Sequence, residues 1–161
     1  MMRRFCLVLS LMAAFPALAW PQGSVGEKVR QWRASHEADI VRDFAALLAI
    51  PNVVSDRANI RRNADWIAEQ YRKRGVDTRL LEVEGAPPVV YGELRAPGAT
   101  RTVVFYAHYD GQPVVPSEWA SPPWSPVLRD KPLGEGGREV ALETLKGAVD
   151  GEWRLYALRR R

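Results

Sequence analysis

The stretch from Thr102 to Val115 constrains the fold of this chain more than any other. It reads T-V-V-F-Y-A-H-Y-D-G-Q-P-V-V. Its first six residues, 102–107, are apolar or β-branched and carry no charge, which is typical of a strand covered on both faces by helices. Gly111 and Pro113 then end the run, as turn residues do. The sequence therefore predicts a buried central strand over residues 102–107.

Two ionisable side chains, His108 and Asp110, follow this strand directly. Residues two apart in an extended chain point to the same side, so the imidazole and the carboxylate can meet. A histidine that binds a metal through one ring nitrogen usually donates its other N–H to a carboxylate or a carbonyl. His108 is therefore a candidate metal ligand, with Asp110 holding its ring. Because His-x-Asp is a short pattern, a structural histidine followed by an Asp-Gly turn also fits.

The first nineteen residues have the pattern of a secretory signal peptide. Arg3 and Arg4 form a basic start, Phe5 to Ala14 a short apolar run, and Ala17-Leu18-Ala19 a small-x-small cleavage site. We expect the leader 1–19 to be removed and the mature chain, 20–161, to be exported to the periplasm or secreted, without a membrane span. The only cysteine, Cys6, would leave with the leader, so the mature chain would have neither a disulfide nor a thiolate nucleophile.

The charge balance excludes a nucleic-acid-binding surface. Of the 23 basic residues, Arg3 and Arg4 leave with the leader, and the 21 that remain face 19 acidic residues, a net charge of +2. The three arginines at 159–161 exceed that surplus. The body of the domain is therefore close to neutral and lacks the basic patch that binding to phosphates requires.

The remaining patterns predict an α/β architecture. A helix is expected over Val25 to Leu48, and a second begins after a cap at Ser55 or Asp56 and ends at Gly75. Two strands joined as a hairpin follow at 78–83 and 89–94, where the period changes to two. The expected buried faces are Val29, Trp32, His36, Ile40, Phe44 and Leu47 in the first helix and Ile60, Ala64, Ile67 and Tyr71 in the second. His36 has no ligand motif around it, and we expect a packing or surface role.

Beyond Val115 the chain is rich in tryptophan, proline and glycine. We expect a short strand at 127–130, a glycine-rich loop at 131–138 and a final strand at 152–157. Residues 139–148 fit either a helix or a covering hairpin. Together with the two helices and the central strand, these elements predict layers of helices packed on a sheet.

A longer motif around His108 resembles a known enzyme family. F-Y-A-H-Y-D-G-Q-P-V, followed by E-W-x-S-P-P-W-S-P-V-L-R-D, is similar to the amino-terminal part of the zinc-dependent aminoacylase/dipeptidase family. That family includes carnosine-type dipeptidases, glutamate carboxypeptidases, acetylornithine deacetylase and succinyl-diaminopimelate desuccinylase. The motif resembles the dipeptidase members more than the desuccinylases, and the Ile-Pro-Asn-Val segment at 50–53 fits the same family.

The resemblance implies the amino-terminal part of a mixed-sheet, helix-flanked zinc-peptidase catalytic domain that holds two zinc ions. It makes His108 a zinc ligand and Asp110 the catalytic-site carboxylate that steadies it, with a dipeptide or an N-acyl amino acid as substrate. The family's bridging aspartate, glutamate base and second histidine have no counterpart here, so we expect residues 20–161 to be a truncated domain, inactive alone. The intact enzyme would be compatible with a homodimer.

Two other interpretations stay open at this point. One is a non-catalytic remnant or binding module with the same fold. The other is an unrelated exported α/β domain in which His108 is structural. The count of possible ligands indicates that any zinc site here is incomplete. A catalytic zinc takes about three protein ligands, and the mature chain offers two histidines and no cysteine.

Overall fold

The computed structural model describes residues 24–157, which form a mixed α/β structure of two helices and two small antiparallel sheets. The predicted signal peptide lies outside the described residues and stays a prediction. Within the described residues no helix is long and apolar enough to cross a membrane. The helices and strands, in chain order, are α1 (Val25–Leu48), α2 (Arg57–Lys73), β1 (Asp77–Leu81), β2 (Val89–Glu93), β3 (Val127–Arg129), β4 (Glu139–Val140) and β5 (Arg154–Tyr156).

The first helix, α1, has the predicted bounds but not the predicted buried face. Its start is capped by Ser24, whose Oγ accepts from the Glu27 N–H at 3.2 Å. The apolar side chains of Trp32 and Phe44 are 55% and 53% exposed, so the expected apolar stripe is wrong as a buried face. The segments that pack on α1 lie along another side of the helix, which carries the buried Ala38 and Ala45.

His36 takes a packing role on the exposed side of α1, as predicted. Its ring stacks on Trp32 with 4.2 Å between the ring centroids. Its Nδ1 also lies 2.7 Å from the main-chain oxygen of Trp32. The ring is therefore held by contacts within its own helix.

The second helix, α2, begins and ends where its sequence signals are. Asp56 is the N-cap, and its Oδ1 accepts from the Asn59 N–H at 3.1 Å. Gly75 follows the helix with φ of 76°, a left-handed conformation that favours glycine. The predicted face is confirmed at Ile60 and Ala64, both fully buried, whereas Tyr71 is 41% exposed.

Strands β1 and β2 form the predicted antiparallel hairpin, with Thr78 opposite Gly92 and Leu80 opposite Val90. The hairpin packs against α2. A side chain at Gly92 would have its Cβ 2.8 Å from the Tyr71 ring, so the glycine permits this close approach. Helix α2 and the hairpin thus form one packed unit.

The second sheet has the strand order β4-β3-β5 and covers part of α1. Leu128 of β3, Leu145 and Ala38 of α1 form its buried core. The short strand predicted at 127–130 and the final strand predicted at 152–157 are confirmed as β3 and β5. Residues 139–148 form neither of the two predicted alternatives by themselves, because the two-residue strand β4 pairs with β3 and a short 3-10 helix follows at Leu142–Thr144.

The predicted central strand over 102–107 is wrong in this structure. These residues belong to no sheet, and Val104, Phe105 and Tyr106 are 83%, 92% and 91% exposed. A strand needs neighbours to satisfy its main-chain N–H and C=O groups, and among residues 24–157 none lies alongside this segment. A parallel bridge between Val53 and Gly111 forms just beyond it. The expectation of a buried strand innermost between helical layers is therefore corrected as well.

Candidate functional site

His108 and Asp110 lie within hydrogen-bonding reach, as their spacing predicts. The His108 Nδ1 is 3.3 Å from the Asp110 Oδ1 and 3.0 Å from the main-chain oxygen of Asp110. Both neighbours are acceptors, so Nδ1 must carry the proton if it is to bond to either of them. The lone pair of the neutral ring then lies on Nε2, which is the nitrogen left for a metal ion.

The pair lies at the protein surface, on a segment outside the described helices and strands, and not at the end of a buried strand. The side chain of His108 is 76% exposed and that of Asp110 is 44% exposed. Solvent therefore reaches both groups, and the interaction between their charges is screened when the imidazole is protonated. Asp110 therefore acts on His108 mainly by orienting its ring, and the attraction between their charges contributes less.

Asn52 holds the segment 108–111 that carries the pair, and no sequence pattern around it indicates this role. Its Nδ2 donates to the main-chain oxygen of Tyr109 at 3.0 Å. Its own main-chain oxygen accepts from the Gly111 N–H at 2.8 Å. In the sequence Asn52 is marked only by its place in the Ile-Pro-Asn-Val segment, which fits the family resemblance.

Tyr109 attaches the segment 108–111 to the residues before β2. Its hydroxyl donates to the main-chain oxygen of Pro88. Burial raises the pKa of the Tyr109 phenol, and the neighbouring Asp110 carboxylate raises it further. The phenol is therefore held in its neutral form, in which it can donate this hydrogen bond.

The donors around His108 fit one position of a zinc site and do not complete it. Among residues 24–157 there is no group of three or more His, Cys, Asp or Glu side chains placed to hold a metal ion. A catalytic zinc takes about three protein ligands. The described part of the chain thus offers one oriented imidazole, with its partner carboxylate already bonded to the ring.

Two shallow hollows occur elsewhere on the surface. One, of about 270 Å³, lies between α2 and the hairpin and is lined by Arg57, Arg61 and Pro88, among others. Its arginines are already engaged, since Arg57 donates to the Gly85 oxygen and Arg61 to Glu82. The other, also about 270 Å³, lies between α1 and Pro126. Neither is lined by His108 or Asp110, whose own exposure leaves the candidate site open to solvent.

Comparisons with known proteins add no match, so the interpretation of His108 depends on the sequence motif around it. No family model, no curated protein and no solved structure matches the chain. The resemblance to zinc-dependent peptidases therefore depends on the sequence motif quoted above. To that motif the structure adds the geometry of His108 and Asp110.

Proposed function

We propose that this chain is the amino-terminal part of an exported zinc-dependent amidohydrolase that cleaves dipeptides or N-acyl amino acids. In this proposal His108 is the first zinc ligand and Asp110 orients its ring. The observation that supports it is the placement of the His108 Nδ1, 3.3 Å from the Asp110 Oδ1 and 3.0 Å from the Asp110 main-chain oxygen.

This geometry suits a metal-binding histidine for a chemical reason. An acceptor at Nδ1 fixes the tautomer, prevents rotation of the ring and makes Nε2 a better electron-pair donor. When bound, zinc supplies Lewis acidity and an activated water for the attack on an amide carbonyl. The residues described here supply one ligand and its orienting carboxylate, and the proposal assigns the remaining ligands and the general base to a further part of the protein.

The exposure of apolar side chains supports the proposal of an incomplete domain. Residues 103–106 present two valines and two aromatic rings to solvent, each at least 72% exposed. Trp32 and Phe44 of α1 are exposed on a different element. A run of exposed apolar side chains such as 103–106 often marks a place where further protein packs. We therefore expect residues 20–161 alone to be inactive.

A second candidate is a binding module without catalysis. The observation that favours it is the same segment, 103–106, which is exposed and belongs to no described sheet. An exposed segment outside a sheet can pair with a strand of another protein. In this alternative His108 would have a structural role or none.

Metal binding by the mature chain separates the two candidates. Zinc, and Co²⁺ as a spectroscopic substitute, would be titrated into residues 20–161, with His108→Ala as the test variant and His36→Ala as the matched control. We expect weak binding that His108→Ala abolishes and His36→Ala leaves unchanged. Asp110→Asn should weaken the affinity about tenfold, because it weakens the acceptor at Nδ1.

Two results would count against the proposal. Binding that His108→Ala does not alter would remove His108 as the ligand and favour the binding module. Hydrolysis of a panel of dipeptides and N-acyl amino acids that disappears in His108→Ala would show a complete site and contradict the incomplete domain.

A further inference from the structure

Asn52 makes hydrogen bonds to the peptide groups on both sides of Asp110. The Asn52 Nδ2 bonds to the main-chain oxygen of Tyr109, the residue before Asp110, at 3.0 Å. The main-chain oxygen of Asn52 bonds to the N–H of Gly111, the residue after Asp110, at 2.8 Å. One residue thus fixes the two peptide groups that flank Asp110.

Asp110 is also the residue that carries both acceptors of the His108 ring. Its main-chain oxygen and its Oδ1 lie 3.0 Å and 3.3 Å from Nδ1. Their positions depend on the main-chain conformation of Asp110, which the two bonds from Asn52 restrain. On the other side of His108 the chain gives little support, because Phe105 and Tyr106 are exposed. We propose that Asn52 is a positioning residue that sets the orientation and tautomer of His108.

Gly111 provides a second, steric observation at the same place. A Cβ built on Gly111 would lie 2.6 Å from the Asn52 Oδ1 and 3.1 Å from its Cγ. The Asn52 amide therefore occupies the space that a side chain at position 111 would need. The Asn52 Oδ1 is buried and has no hydrogen-bond partner among the described residues, so the donor Nδ2, and not the acceptor, accounts for the placement of the amide.

The inference rests on the proposed function only for its consequence on zinc, since the tautomer of His108 can be measured without metal. Long-range ¹H–¹⁵N NMR of the mature chain at about pH 8 reports which ring nitrogen carries the proton in the neutral imidazole. We expect the Nδ1–H form in the wild-type chain. Asn52→Ala and Asn52→Asp should shift the ring toward a mixture that contains the Nε2–H form. Each should also weaken zinc binding about tenfold.

Two further variants separate positioning from general stability. Leu128→Ala removes a buried side chain from the other sheet, so it should lower the urea midpoint while the His108 tautomer and the zinc affinity stay unchanged. Gly111→Ala should reproduce the tautomer change of Asn52→Ala by displacing the amide. In the Asn52→Ala background the same substitution should add little, a coupling that a double-mutant cycle measures.

The outcomes distinguish the two proposals. An unchanged tautomer in both Asn52→Ala and Gly111→Ala would overturn the positioning role of Asn52. A changed tautomer in a chain whose wild type binds no zinc at His108 would support Asn52 and overturn the zinc-ligand role of His108. If Asn52→Ala fails to fold, the Gly111→Ala spectrum decides the question by itself.

Discussion

Replacing Phe105 by serine should change the free energy of unfolding of this chain by no more than about 0.5 kcal/mol, as for other surface substitutions. Phe105 is 92% exposed, and its neighbours Val104 and Tyr106 are 83% and 91% exposed. The side chain therefore has almost no buried apolar area to lose. Truncating a buried phenylalanine typically costs about 3–5 kcal/mol. The measured change in the free energy of unfolding therefore distinguishes an exposed segment from a buried central strand.

Urea unfolding of residues 20–161, followed by tryptophan fluorescence, provides the measurement. Ile60→Ala is the matched control, because Ile60 is fully buried in α2 and its truncation should cost about 2–5 kcal/mol. For a urea m-value of roughly 1–3 kcal/mol/M, Phe105→Ser should move the midpoint by less than about 0.5 M. The Ile60→Ala midpoint should fall by considerably more.

A loss of about 3 kcal/mol or more in Phe105→Ser would refute this reasoning, because it would show that residues 102–107 are packed in solution. Self-association gives an independent check. Exposed apolar segments with free main-chain groups promote aggregation, so Phe105→Ser should lower the light scattering of concentrated samples, whereas Ile60→Ala should not.

Two further predictions concern pH. Hydrogen bonds from Asn59 hold the pKa of Asp56 below its usual value, so the cap contributes stability above the ordinary aspartate pKa and loses it as the pH falls through the lowered folded value. Melting temperatures should therefore be lower for Asp56→Ala at neutral pH and should converge with the wild type under strongly acidic conditions; parallel curves would contradict this. Tyr109→Phe should cost about 1 kcal/mol through its lost bond to the Pro88 oxygen. Because burial raises the pKa of Tyr109, the wild type should lose stability above about pH 10, where the unfolded phenol ionises, and the difference from Tyr109→Phe in urea unfolding should shrink; a constant difference would contradict it.

The local elements could be predicted because their signals lie within them. Asp56 caps α2 and Gly75 follows its end, both within one turn of the helix. The alternation of β1 and β2 and the short connection between them were enough to identify the hairpin. In each case the residues that determine the element are near neighbours in the sequence.

Burial could not be predicted in the same way, because it depends on what packs against a surface. The apolar stripe of α1 has the right period, yet Trp32 and Phe44 are exposed, and the small side chains of Ala38 and Ala45 form the buried face. The run 102–107 has the composition of a buried strand and no neighbouring strand among the described residues. A hydrophobic pattern indicates which surface can be buried, whereas the partner decides whether it is.

The candidate site likewise contains one contact that the local sequence predicts and one that it does not. The His108–Asp110 contact could be anticipated because the two residues are two positions apart. The contact of Asn52 with Tyr109 spans 57 positions, and no periodicity or local motif encodes such a pairing. The structure explains the glycine at position 111, because a side chain there would collide with the Asn52 amide. The sequence alone does not show this reason.

The contacts that hold residues 108–111 also bear on how the two proposals fit together. Asn52 bonds to the main-chain oxygen of Tyr109, and the Tyr109 hydroxyl bonds to the Pro88 oxygen; neither contact involves residues 103–106. The geometry of His108 therefore depends on segments that precede the exposed run and not on the pairing of that run with other strands. If further protein pairs with the exposed run, it should bury Val104 and Phe105 without rearranging residues 108–111. The His108 tautomer should accordingly be the same in the isolated chain as in a longer protein that contains it, and a difference between the two would show that this pairing, and not Asn52, orients the imidazole.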